Sequence, residues 1–226
     1  MRNIKDYIKV YDDTLDLDIC ENIIKEFNED LSNQKSTGKN IPEVITEDGK
    51  ELWKRFVEID FAITPHWQKK YGKYFKEKII YYSQLYFKDI NYPMHLMPIK
   101  MGYEGIRIKR YLPDSGDRID EHTDSNNIGL CKRFLSLFWY LNDVDSGGET
   151  HFTTLNQYVK PKAGRLLVFP PMWTFPHAGL PVTSEDNKYL LHSYLHFSKD
   201  TADFNVMTDL YPLKSGAVRE KTINKE

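Results

Sequence analysis

Two histidines and an aspartate dominate the chemistry open to this chain. His122-Thr123-Asp124 is followed, 53 residues after the aspartate, by His177 in the stretch Phe175-Pro176-His177-Ala178-Gly179. Two imidazoles and one carboxylate on one face of an octahedral ion make a ligand set suited to iron(II), with the opposite face open to a cosubstrate and to oxygen. A His-x-Asp triplet alone is a weak signal, because short motifs arise often by chance. Its context strengthens it. Extended backbone puts residues i and i+2 on the same side of a strand, so His122 and Asp124 can aim at one ion. His177 joins them only if the intervening chain folds back. The pattern points to oxygenase chemistry.

The elements that would do the folding back are legible as short strands. Residues 133–141 are rich in aromatic and apolar side chains and are closed by a polar turn over 142–148. Short strands are expected at 150–153 and 158–160, and an apolar run over 164–169 is stopped by Pro170-Pro171. After His177 the segment 188–197 reads as a strand again. Turn signals about 8–12 residues apart predict an all-β sandwich or barrel. A jelly roll with the ion at its mouth follows. If Lys188 points into it, so do Leu190, His192, Tyr194 and His196, while Tyr189, Leu191, Ser193 and Leu195 face away. Tyr140 likewise shares a face with Ser136 and Phe138.

The first hundred residues predict helical support. Asp16 or Asp18 can cap a helix whose apolar face is Leu17, Cys20, Ile23, Ile24, Phe27 and Leu31. A longer helix over 65–89 repeats Trp67, Tyr71, Tyr74, Phe75, Ile79, Tyr82, Leu85 and Tyr86 at helical spacing. That stripe reads as a core face on the sheet rather than as a peptide groove. Residues 35–49 are polar and read as a loop, and with 112–121 they are the candidates for lids. The expected architecture is mostly β with helical support: one domain, 1–226, with a mainly helical 1–99, a double-stranded β-helix core over 100–200 and a tail from 201.

Longer motifs carry a resemblance. Arg133 with Tyr140-Leu-Asn-Asp-Val144, Gly147-Gly-Glu-Thr-x-Phe152, Val159-x-Pro-x-x-Gly-Arg-Leu-Leu-x-Phe169, Pro176-His-x-Gly-x-Pro-Val182 and Lys188 occur in that order. Over about residues 105–198 the chain resembles the iron(II)- and 2-oxoglutarate-dependent dioxygenases, and within them the prolyl 4-hydroxylase-like branch. Residues 11–15 with Cys20 look weakly like that branch's opening.

The resemblance implies that His122, Asp124 and His177 hold iron(II) and that Lys188 pairs with the distal carboxylate of 2-oxoglutarate. A buried dicarboxylate needs such a cation on physical grounds too. Lys188 lies one residue further from His177 than in that family, an extra residue that the turn at 184–187 can absorb. Tyr140, Tyr111, Ser136 and Thr150 are expected around the cosubstrate, with Phe169 nearby. O2 is the oxidant and ascorbate a stimulant. Arg133 matches an arginine that holds substrate peptide, suited by a guanidinium's several N–H groups, or else it is a surface arginine beside Lys132. Tyr194 stands where prolyl hydroxylases carry a tryptophan beside the peptide, and Ile119 where they carry a tyrosine, so substrate recognition is expected to differ. His192 is either a hydrogen-bonded core histidine or a neighbour of the cosubstrate. His151, His66 and His95 have no partner at ligand spacing.

Composition bounds the alternatives. The 226 residues allow one substantial core, and a net charge of -2 with interspersed signs leaves no nucleic-acid footprint. Two distant cysteines, Cys20 and Cys131, and an opening without a basic-then-apolar signal predict a cytoplasmic location with free thiols. No apolar run reaches membrane-spanning length. The expected partner is a proline-containing peptide or protein. The rivals are an oxygenase of the same family acting on a free amino acid or other small molecule, a jelly-roll metal enzyme such as an isomerase, and a non-catalytic peptide-binding module.

Overall fold

The computed structural model describes residues 3–33, 42–45, 49, 51–97, 100–198 and 204–205. In chain order the elements are β1 (Lys9–Tyr11), α1 (Leu17–Asn33), β2 (Pro42–Ile45), β3 (Glu51–Arg55), β4 (Val57–Asp60), α2 (Pro65–Asp89), β5 (Lys100–Tyr103), β6 (Arg107–Tyr111) and β7 (Arg118–His122). They continue as β8 (Arg133–Tyr140), β9 (Thr150–Phe152), β10 (Gln157–Val159), β11 (Leu166–Phe169), β12 (His177–Gly179), β13 (Lys188–Phe197) and β14 (Phe204–Asn205). The strands form two antiparallel sheets. The larger runs β1-β11-β8-β13-β5-β14, with β6 joined to the start of β13 and β4 to β6; the smaller runs β10-β9-β12-β7-β3-β2. This is the jelly roll expected from the turn spacing.

Strand alternation decides what each face holds. β8 and β13 lie inside the larger sheet and are covered on both faces, so they read as nearly continuous apolar runs. Leu137, Trp139, Tyr189, Leu191 and Leu195 face the helices, whereas Phe138, Tyr140, Leu190 and Tyr194 face the space between the sheets. The register Leu190↔Tyr140 and His192↔Phe138 keeps these sets apart. A slip of one residue would exchange them, so burial on both sides pins it.

The helices cover the outer face of the larger sheet. α2 starts with Pro65 in its first turn, where a missing N–H costs nothing, and gives way at Asn91, whose φ is 47°. Its residues Trp67, Tyr71, Phe75, Ile79 and Tyr86 are buried, and Phe75 meets Trp139 edge-on at 5.8 Å. Burying each such side chain is worth about 1.5–3 kcal/mol, so the aromatic stripe is a core face. In α1 the packed stripe is Cys20, Ile23 and Phe27. Leu17, expected on it, sits at the first helical position and is 59% exposed. The carbonyl of Asp16 accepts from the N–H of Ile19 and Cys20, which puts Asp16 at the start of the helix. The Leu31 side chain lies outside the described residues.

Two expectations need correction. Residues 42–45, inside the expected loop, form the edge strand β2 paired with β3, a position where Pro42 is tolerated; 34–41, 46–48 and 50 lie outside the described residues. Within residues 3–97, α1 and α2 make up most of the regular structure, and β1, β3 and β4 extend both sheets. The candidate lid 112–121 is a strand from Arg118 onward, held to β3 by the Trp53 N–H donating to Asp120. Of the tail from 201, only Phe204–Asn205 is described, paired with β5. No helix among the described residues is long and apolar enough to cross a membrane.

Candidate active site

His122 ends β7 and His177 begins β12, and antiparallel pairing sets them opposite each other with ring centroids 4.5 Å apart. Asp124 follows two residues on, its N–H fixed by the Pro171 carbonyl at 3.1 Å. Its Oδ1 lies 3.4 Å from His122 Nε2 and its Oδ2 3.4 Å from His177 Nε2. Ligand atoms of the three residues all fall within 4.8 Å of one another. His122 Nδ1 faces the Asp120 carbonyl at 2.8 Å and His177 Nδ1 the Phe175 carbonyl at 3.1 Å. Carbonyls only accept, so each Nδ1 carries a hydrogen and Nε2 is the ring atom turned towards Asp124.

The donor set fits a divalent cation. His177 is 2% exposed and its Nε2 has no hydrogen-bond partner among the described residues. Burial, then the neighbouring His177, pushes the His122 pKa down and favours the neutral, ligating form. Burial opposes ionisation of Asp124, but the positive charge that the two imidazoles can carry outweighs it and holds the carboxyl well below the usual range, as a bound cation would. Acceptors gathered without a donor between them are costly unless a cation is shared.

A second feature lies in the same cavity. Lys188 opens β13 opposite Tyr111 and is 1% exposed. Among the described residues no carboxylate makes an ion pair with it. Burial pushes its pKa down to about 7, against the pull of Glu149 and with a push from Lys109. Its ammonium stands 4.8 Å from the Tyr111 ring centre and 5.9 Å from that of Tyr140. The hydroxyls of Tyr140 and Thr150 are bonded across the two sheets at 2.7 Å, so Tyr140 reaches the cavity through Thr150. Gly148, with φ +72°, lets the backbone pack on the Lys188 stem, where a Cβ would come within 3.3 Å of Cδ. The turn before Lys188 is docked onto 145–146: Asp186 accepts from the Asp145 N–H and the Ser184 N–H donates to the Ser146 carbonyl.

The remaining expected residues are distributed differently. Ser136 is not beside Lys188; its Oγ lies 3.4 Å from Asp124 Oδ2, because it is two residues nearer the metal end of β8 than Phe138. Arg133 is 8% exposed, which excludes a surface role. Its Nε and Nη2 donate to Glu104 at 2.5 and 2.6 Å, its Nη1 donates to the Asp124 carbonyl at 2.9 Å, and its guanidinium lies 3.9 Å over the Tyr194 ring. These bonds bind Arg133 to the metal loop and leave the expected peptide contact without support. His192 is buried but makes no hydrogen bond among the described residues, so it is not a satisfied core histidine. Burial, with a push from Lys109, lowers its pKa to about 4 against the pull of Glu58.

Lys109 also lines the cavity and was not foreseen, although strand alternation from Tyr111 would have placed it on that face. Ile119 lines it too. His151 stacks on Tyr158, His66 pairs with Asp30 and His95 is exposed, so none of them joins the site. A larger apolar cavity, lined by Tyr86, Met97, Phe134 and Phe175 among others, contains none of these groups.

Comparison with known proteins agrees with this geometry. Residues 106–196 match the sequence model of the 2OG-Fe(II) oxygenase superfamily, nearly the span over which the motifs resemble it. A putative prolyl 4-hydroxylase of Acanthamoeba polyphaga mimivirus is 37% identical over 99 residues, a match covering 36% of this chain and 40% of that relative. The viral collagen prolyl hydroxylase of Paramecium Bursaria Chlorella virus-1, solved with 2OG, superposes with a TM-score of 0.54 at 22% identity, covering 85% of this chain and 97% of that one. A prolyl hydroxylase from Trichoplax adhaerens, solved with a hypoxia inducible factor peptide, gives a TM-score of 0.61 at 16% identity and 84% coverage of both. These structures share the fold.

Proposed function

We propose that the chain is an iron(II)- and 2-oxoglutarate-dependent dioxygenase that hydroxylates an unactivated C–H bond, that of a prolyl residue in a peptide or protein. The observation that carries this reading is the meeting, in one cavity, of a His-Asp-His set with a buried lysine that has no counter-ion among the described residues. The metal-binding half suits many reactions, but the second half calls for an anionic cosubstrate. The superfamily match supports the pairing, and the names of the relatives support the prolyl substrate.

His122, Asp124 and His177 would hold iron(II). When bound, the metal and 2-oxoglutarate supply oxidative decarboxylation by O2, giving succinate, carbon dioxide and the oxidant for the C–H bond. The chain supplies position and dryness. The Asp120 and Phe175 carbonyls keep both imidazoles in the ligating tautomer. Lys188 takes the distal carboxylate, with Thr150 oriented by Tyr140 and Tyr111 closing the side. Phe138, Phe152 and Phe169 pack around His177 and exclude water from that wall. Tyr194, buried beside Arg133, and Ile119 would shape the substrate side.

The test is succinate formation by the purified protein with iron(II), ascorbate and a panel of proline-containing peptides, beside His177→Ala, with mass spectrometry of each peptide. Gain of one oxygen on proline, dependent on His177, is the expected result. Succinate without peptide oxidation would retain the oxygenase and reject the prolyl substrate, and failure to bind 2-oxoglutarate would reject both.

A further inference from the structure

One wall of the cavity holds a buried imidazole that no hydrogen bond satisfies among the described residues and, beside it, a partly buried lysine paired with Glu58. His192 is 3% exposed, and neither ring nitrogen has a hydrogen-bond partner among the described residues. The Lys109 side chain is 12% exposed; its ammonium lies 3.8 Å from Glu58 Oε2 and 4.1 Å from the Phe56 ring centre. His192 Nε2 is 3.6 Å from the same Glu58 oxygen. Both groups therefore converge on one carboxylate without reaching hydrogen-bond distance. A buried imidazole left in that state is costly, and the ammonium beside it, with three N–H groups, can donate to a further oxygen.

Their place in the cavity is set by register. Lys109 pairs with Leu190 and with Glu58, so it lies level with the residue two beyond Lys188. His192 is four residues along β13 from Lys188, a displacement of about 13 Å in extended backbone. It is paired with Phe138, whose ring is 5.7 Å from the His192 ring and 6.1 Å from that of His177. His192 thus lies toward the metal end of the cavity, Lys109 about midway along it and Lys188 at the far end.

We propose that Lys109 and His192 form a second subsite, which donates hydrogen bonds to a carboxylate or carbonyl oxygen of a ligand bound at the metal end. Glu58 pairs with Lys109 at 3.8 Å, and the neutral His192 ring, which has one N–H to give, directs it to the ligand rather than to Glu58. The inference rests on the oxygenase reading, and the oxygen has two possible sources: the metal-end carboxylate of 2-oxoglutarate, or a carbonyl or carboxylate of the substrate next to the attacked carbon. Either way the chain selects for an oxygen acceptor at a point that Lys188 does not serve.

The experiment uses the full chain loaded with Mn(II) in the absence of oxygen, titrated calorimetrically with 2-oxoglutarate, for wild type, Lys109→Met, His192→Phe and His192→Gln. The iron(II) protein is then assayed with proline-containing peptides for KM and kcat. Lys109→Met and His192→Phe are expected to weaken one of the two ligands about tenfold or more, the effect of losing one charge-assisted or buried hydrogen bond, with Mn(II) affinity held. His192→Gln keeps a donor and is expected to restore most of the loss. Weakened 2-oxoglutarate binding assigns the subsite to the cosubstrate, and a raised peptide KM at unchanged 2-oxoglutarate affinity assigns it to the substrate. Both ligands binding within twofold of wild type in Lys109→Met and His192→Phe would overturn the subsite and leave the oxygenase reading intact. If wild type itself fails to bind 2-oxoglutarate, the oxygenase reading falls and the subsite with it.

Discussion

Replacing Lys188 by methionine should strengthen the ligand-free protein and weaken its hold on 2-oxoglutarate, two effects with one cause. The Lys188 pKa drops from 10.5 to about 7 on folding, chiefly through burial. A shift of that size corresponds to a cost on the order of 5 kcal/mol for the charged form, at about 1.36 kcal/mol per pH unit. Because the folded value is the lower one, the unfolded chain keeps a proton between these values that the native chain has released. Stability therefore rises as pH climbs from 7 towards 10.5, and the full penalty is present below 7. Methionine of similar length removes the penalty, so Lys188→Met should be more stable than wild type at pH 7 by a few kcal/mol, and the gap should shrink by roughly 1.4 kcal/mol per unit towards pH 9. The charge that costs stability in the empty site is what the carboxylate of 2-oxoglutarate neutralises. Truncating one partner of a buried charge pair costs about 2–5 kcal/mol of binding, which is about 30-fold to several thousandfold in Kd. Urea unfolding at pH 7 and 9 and calorimetric titration of the Mn(II)-loaded protein measure the two halves. A variant that is less stable than wild type at pH 7, or that binds 2-oxoglutarate as tightly, would refute the assignment of Lys188.

Three further outcomes are expected. Arg133→Gln removes the clamp between Glu104 and the Asp124 carbonyl and should cost about 1.5–3 kcal/mol of stability, the worth of hydrogen bonds to a charged group, since Glu104 keeps only its longer pair with Arg107; Mn(II) affinity should fall with it, both read by urea titration and calorimetry. Phe75→Ala empties the contact between α2 and Trp139 and should cost about 3–5 kcal/mol in urea unfolding, while Mn(II) affinity stays at the wild-type value because the site lies on the other face of the sheet. Gly147→Ala forces a side chain into φ +76° with its Cβ 2.4 Å from the Pro181 carbonyl oxygen; a loss of about 1–3 kcal/mol is expected, and a neutral result in thermal unfolding would show that the turn relaxes freely.

Much of this molecule is written in local patterns. His122 and Asp124 face one ion because of a two-residue period, α2 begins at Pro65 and shows its stripe at helical spacing, and β13 runs from Lys188 to Phe197 with its inward set at alternate positions. Period and punctuation suffice there, since backbone geometry repeats over neighbouring residues whatever the rest of the chain does. β2 escaped notice because it is a short, Pro-bearing edge strand in polar sequence, stabilised only by its partner β3. The partners within the site were also beyond local reach. Arg133 meets Glu104 from 29 residues away, and Glu58 approaches Lys109 and His192 only because β4, β6 and β13 lie side by side. Residue types and their period thus determined which side chains could serve chemistry; strand order and register decided which of them meet, because burial, ion pairing and unsatisfied hydrogen bonds acquire their energies only when distant segments are packed together.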